Sequence, residues 1–66
     1  MYRLKALRMD KKVTPECMAR VTNVTPQQYL AMETKPYLFV FSQGLAIAKA
    51  LGVRVAEIDW HEGIRV

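Results

Sequence analysis

Apolar positions recur along the chain at helical rather than alternating spacing, and the polar positions between them carry the marks of helix ends. Over residues 2 to 12, Leu4, Leu7 and Met9 stand among charged neighbours at near-helical intervals. This predicts a first helix with those residues inward and Lys5, Lys11 and Lys12 outward. Lys11 and Lys12 fall in its predicted last turn, where cations favour the negative end of the helix dipole, and Val13 anchors the bend that follows. The dipeptide Thr-Pro then occurs at 14–15 and again at 25–26. Each threonine can cap a helix whose first residue, a proline, has no amide to satisfy. Thr25 and Gln28 stand at capping-box spacing, and Asn23 tolerates the left-handed backbone that ends a helix sharply. Residues 14–33 therefore predict a helix, a tight turn and a second helix. In the first, Met18 and Val21 face inward, Ala19 permits a close crossing and Arg20 points away. In the second, Tyr29 and Met32 form the buried face and leave Gln27, Gln28, Leu30 and Ala31 to the others.

Pro36 ends any helix before it. The run Tyr37-Leu38-Phe39-Val40-Phe41 has strong strand propensity. It reads as a loop anchored on the core, or as a short strand or a sticky patch for a partner; the core reading is preferred because so short a chain has few aromatics to leave in water. A further helix follows over Ser42–Leu51, with a start one or two residues earlier also compatible. Its inward stripe is Leu45, Ala48 and Leu51 with Ile47 beside them, and Gly52 stops it. Gly44 within it costs about 1 kcal/mol relative to alanine, which points to a close approach or a late start. A short fifth helix from Val55 to about Trp60 packs Val55 and Ile58. The tail from His61 is loose or forms a strand.

Sixty-six residues make one domain, 1–66, with a thin margin of stability. One cysteine excludes an internal disulfide, and Cys17 is expected to be a small buried or half-buried thiol in a reducing, cytoplasmic setting. No CxxC pair, signal peptide or long apolar segment is visible, so no metal site, cofactor or membrane span is expected. Ten Lys and Arg against six Asp and Glu give a net charge of +4, compatible with a polyanionic partner. An enzyme is not expected: His61 is the one histidine, beside Trp60 near the terminus, and Glu57, Asp59 and Glu62 form no pair with a base.

Over about residues 4–59 the chain resembles the helix-turn-helix family of phage repressors, Cro proteins and XRE-type regulators. The stretch Ile47-Ala48-Lys49-Ala50-Leu51-Gly52-Val53 carries the likeness most closely. Ala19 as the small residue, the apolar Met18, Val24, Tyr29 and Met32, and Glu33 at the end of the second helix of the pair also stand where the family has such types. The chain departs from the family at Pro15, where glutamine is usual, at Thr22, where an apolar residue is usual, at Asn23 in place of glycine, and at Thr34-Lys35-Pro36. The resemblance implies an all-α, compact five-helix lambda-repressor-like domain, with a short C-terminal strand or tail and its helix-turn-helix proper at 14–33. It also implies an ion pair between Arg8 and Glu33, which on an exposed surface would contribute less than about 1 kcal/mol.

If the resemblance carries function, the partner is double-stranded DNA and the second helix of the pair enters the major groove. Gln27 is then the main base reader, since glutamine pairs bidentately with adenine; Gln28, Ala31 and Pro26 complete the base-reading set. Phosphate contacts come from the helix starts at Thr14 and Thr25 and from Lys35, Lys12 and Arg20. A homodimer reading a pseudo-palindrome supplies the specificity one module lacks, with Tyr37, Phe39, Phe41, Trp60, Ile64 and Val66 as its expected interface. The competing expectation is a protein-binding module, an antirepressor or antitoxin, that uses the Tyr37 to Phe41 run and binds DNA weakly or secondarily.

Overall fold

A computed structural model describes residues 1–64 of the chain. Its architecture is all-α: helices α1 (Leu4–Asp10), α2 (Pro15–Thr22), α3 (Pro26–Glu33) and α4 (Phe41–Leu51), with single 3-10 turns at Pro36–Leu38 and Val55–Glu57. Leu4, Leu7, Met18, Ala19, Tyr29, Ile47, Ala48, Leu51 and Ile58 form one core, against which Val13, Val24, Phe39, Val53, Val55 and Trp60 pack. Helix α2 packs mainly on α3 and α4, and Ala19, 2% exposed, lets it come close. No helix among the described residues is long and apolar enough to cross a membrane.

The predicted helix starts at the two Thr-Pro pairs are present. Thr14 Oγ1 accepts from the Cys17 amide at 3.2 Å, and Thr25 Oγ1 accepts from the Gln28 amide at 3.1 Å while Gln28 Oε1 accepts from the Thr25 amide at 3.0 Å. Asn23 ends α2 in the left-handed conformation at φ 61°, and Gly52 ends α4 at φ 70°. Each reversal lets the following residue bond back into its helix, Val24 to the Ala19 carbonyl and Val53 to the Ala48 carbonyl, both at 3.0 Å.

Several expectations are corrected. The fifth helix is only the turn Val55–Glu57, because the chain extends at Ile58 to pair with the N-terminus. The Tyr2 amide donates to the Glu57 carbonyl at 2.8 Å and the Asp59 amide to the Tyr2 carbonyl at 2.7 Å, which drives the Ile58 side chain into the core. That bridge also delays α1 to Leu4. Its end at Asp10 leaves Lys11 and Lys12 beyond the last turn, Lys12 in the left-handed region at φ 59°.

Three stripes are also rephased. Met9 (60% exposed), Val21 (39%) and Leu45 (47%) face out, while Arg8, Thr22 and Gly44 are buried. In α2 the buried set Met18, Ala19 and Thr22 follows i, i+1, i+4 spacing, which turns Val21 and the exposed Cys17 outward together. The buried Thr22 hydroxyl is paired, since Oγ1 donates to the Met18 carbonyl at 2.8 Å. In α4 the inward row starts at Gly44 and runs to Ile47, Ala48 and Leu51. A glycine contributes nothing to a hydrophobic pattern, so the phase was hidden in the sequence.

The Tyr37 to Phe41 run is not a strand; it leads into α4 and is anchored on the core through Phe39 alone. It leaves Tyr37, Leu38, Val40 and Phe41 exposed, and only Phe39, half-buried, packs inward with its ring 5.8 Å from that of Tyr29. Pro36, just before, is buried and turns the chain so that α4 begins at Phe41. No strand is present among the described residues; the bridge at Tyr2 and Ile58 is isolated.

Candidate nucleic-acid interface

Helix α3 is held at both ends and from behind. At its start, the reciprocal bonds between Thr25 and Gln28 satisfy amides that no helix carbonyl can reach. At its end, Glu33 is 1% exposed and accepts from Arg8 of α1 twice, from Nε at 2.6 Å and from Nη2 at 3.2 Å. The third arm of the guanidinium, Nη1, donates to the Val13 carbonyl at 2.9 Å, so one side chain fixes α1, the bend before α2 and the end of α3. The expected Arg8–Glu33 pair is therefore present, and it is buried rather than exposed. The bond to Glu33 holds the Arg8 guanidinium protonated more firmly than usual, against the opposing effect of burial.

Between these two anchors Tyr29 is wholly buried. Burial raises its phenol pKa above the ordinary value, and the nearby Glu33 carboxylate adds to the effect. Its hydroxyl lies close enough to the Arg8–Glu33 pair to feel both charges, yet makes no hydrogen bond of good geometry. Met32, half-buried, completes the inner face.

The outer face of α3 carries Pro26, Gln27, Leu30, Ala31 and, just past the helix, Thr34, all exposed. Gln28 is exposed too, but its carboxamide oxygen is engaged at the cap. No charge lies on this face, because Glu33, the helix's one ionisable group besides Tyr29, points inward. Among the expected phosphate ligands, Thr14 and Thr25 sit at helix starts with their hydroxyls in capping bonds. Lys12, Arg20 and Lys35 are exposed, and none of them forms an ion pair among the described residues. From Cys17 to Ala56 the exposed charges are Arg20, Lys35, Lys49 and Arg54, all cations.

The residues expected at a dimer interface divide. Tyr37 (41%), Phe41 (75%) and Ile64 (44%) are exposed. Phe39 and Trp60 are half-buried, and Trp60 Nε1 donates to the Val55 carbonyl at 2.8 Å. Val66 lies outside the described residues. An open, mainly apolar cleft of about 260 Å³ runs between the Pro36–Phe41 segment and Trp60, with the exposed His61 at its rim.

Gln43 has a role that sequence reasoning missed. Its Oε1 accepts from the Val40 amide at 3.0 Å and its Nε2 donates to the Thr22 carbonyl at 2.9 Å, so it caps α4 and ties it to the last turn of α2. The local signal was a glutamine three residues into a helix; its partner in α2 lies 21 positions away.

Comparison of the chain with protein-family models, with curated proteins and with solved structures finds no match.

Proposed function

We propose that this chain is a sequence-specific DNA-binding regulator of the repressor and Cro type, a helix-turn-helix domain that reads a pseudo-palindromic operator as a homodimer. One observation carries the reading: α3 is braced at both ends and along its inner face, so that its opposite face, with Gln27 in the first turn, is presented rigidly to solvent. A helix held this way fits the major groove, where Gln27 bonds adenine and Ala31 and Pro26 lie against neighbouring base edges. Gln28 is the weaker reader, because the cap takes its acceptor. Exposed Lys12 before α2, Arg20 in its last turn and Lys35 just past α3 support a polyanionic partner, against one exposed carboxylate, Glu16, in the first turn of α2. One module buries only about 600 to 1,000 Å² of its surface on DNA, so a dimer formed through Tyr37, Phe41 and Ile64 supplies the second half-site. Such a regulator works in the cytoplasm, without cofactor or catalysis.

Selection of duplexes from a random library by the purified protein tests this reading. Enrichment of a palindrome is expected, and Gln27→Ala is expected to weaken binding to it by about 1 to 3 kcal/mol with little change on unrelated DNA. Equal losses on both would show that Gln27 does not read bases.

A second reading is favoured by the exposure of Tyr37, Leu38, Val40 and Phe41, an unusual apolar display for so small a domain. On this reading the chain is an antirepressor or antitoxin that grips a protein through that run. Absence of any enriched duplex, together with a stoichiometric protein complex lost in Phe41→Ser, would favour it.

A further inference from the structure

We infer that α3 reads adenine and thymine methyl groups rather than guanine, with Leu30 as a further base-reading residue; this rests on the DNA-binding proposal above. The inference comes from what the outer face of α3 contains. From Gln27, the positions i+3, i+4 and i+7 are Leu30, Ala31 and Thr34, one continuous exposed row with Pro26 beside it. Guanine offers two adjacent acceptors in the major groove and is best met by arginine or lysine, neither of which occurs from Pro26 to Thr34. Cytosine offers a donor and is best met by a carboxylate. The one carboxylate of the helix, Glu33, is buried against Arg8, and the oxygen of Gln28 is engaged by the Thr25 amide. The Thr34 hydroxyl donates to the Ala31 carbonyl at 2.9 Å, so it has no donor left for guanine or adenine.

Gln27 is thus the side chain of this row with both an uncommitted donor and an uncommitted acceptor, the pair that adenine N6 and N7 require. Around it stand Pro26, Leu30 and Ala31, which offer only carbon. Leu30, 47% exposed, is the largest apolar side chain on this face, and its burial against a thymine methyl is favourable. Against a G·C edge the same side chain would cover polar atoms without satisfying them, which adds discrimination by penalty. The cations Arg20 and Lys35 stand in α2 and past the end of α3, outside the helix that carries the base-reading side chains.

The test uses the full chain in the same library selection, followed by titration of the selected duplex and of an otherwise identical duplex with deoxyuridine for thymidine, which removes only the 5-methyl groups. Expected are half-sites dominated by A·T pairs and a loss of about fourfold in affinity for each contacted methyl removed, the equivalent of about 0.8 kcal/mol. In Leu30→Ser, with folding checked by circular dichroism, the uracil penalty should shrink at one position of the half-site. Enrichment of guanine-centred half-sites, or equal affinity for the thymine and uracil duplexes, would overturn the inference and leave the DNA-binding proposal standing. No enrichment of any duplex would overturn both.

Discussion

Removing either member of the Arg8–Glu33 pair should be among the most damaging single changes available in this domain. Arg8 is 7% exposed and Glu33 1%, and two hydrogen bonds join them at 2.6 and 3.2 Å. Substituting one partner leaves the other as a buried charge without a counterion, at a cost of about 3 to 5 kcal/mol. At about 0.05 to 0.15 kcal/mol per residue, a domain of this size has only about 3 to 10 kcal/mol in total. Arg8→Met and Glu33→Leu should therefore each remove at least about a third of that stability, and all of it if the total lies near the lower figure. Arg8→Met loses in addition the bond to the Val13 carbonyl, worth about 1 kcal/mol. The double variant buries no charge, so it should be more stable than either single one, and within about 2 kcal/mol of the parent. Urea unfolding at pH 7, followed by far-ultraviolet circular dichroism and by Trp60 fluorescence, measures all four proteins. Single variants within 1 kcal/mol of the parent would refute the reasoning, because that is how a solvent-screened surface pair behaves.

Three further outcomes follow from the same geometry. The Tyr29 pKa is raised in the folded protein above its ordinary value of 10.0, so this contribution to stability is intact below pH 10 and declines as pH rises further. The expected decline is up to about 1.4 kcal/mol per pH unit, and alkaline urea titrations of Tyr29→Phe should lack it. Gly44→Ala should stabilise by about 0.5 to 1 kcal/mol, since the added methyl meets the Trp60 ring at an ordinary contact distance of 3.5 Å; a lowered melting temperature would contradict this. Gln43→Ala should cost about 1 to 2 kcal/mol in the same unfolding assay, because it frees the Val40 amide and the Thr22 carbonyl together.

What was legible in the sequence was what short-range chemistry decides. The threonine-proline starts, the Thr25–Gln28 box and the left-handed stops at Asn23 and Gly52 depend on neighbours within a few residues, and all of them are present. The Arg8–Glu33 pairing came from family likeness, whereas its burial did not, since exposure depends on how α1 and α3 pack. Gln27 and Ala31 were placed on an outer face by periodicity, and they lie there.

Tertiary packing decided the rest. Which of two adjacent helix positions turns inward depends on the partner helix, so Thr22 displaced Val21 and the unmarked Gly44 displaced Leu45. Apolar character did not secure burial for Tyr37, Leu38, Val40 and Phe41, because Pro36 and the start of α4 fix the path of the chain there and leave only Phe39 within reach of the core. The segment after Val55 was too short to commit to a helix by itself, and backbone pairing with Tyr2, more than fifty residues earlier, drew Ile58 out into an extended conformation. Propensity acts within a turn of helix; partners so far apart in sequence meet only in the folded chain.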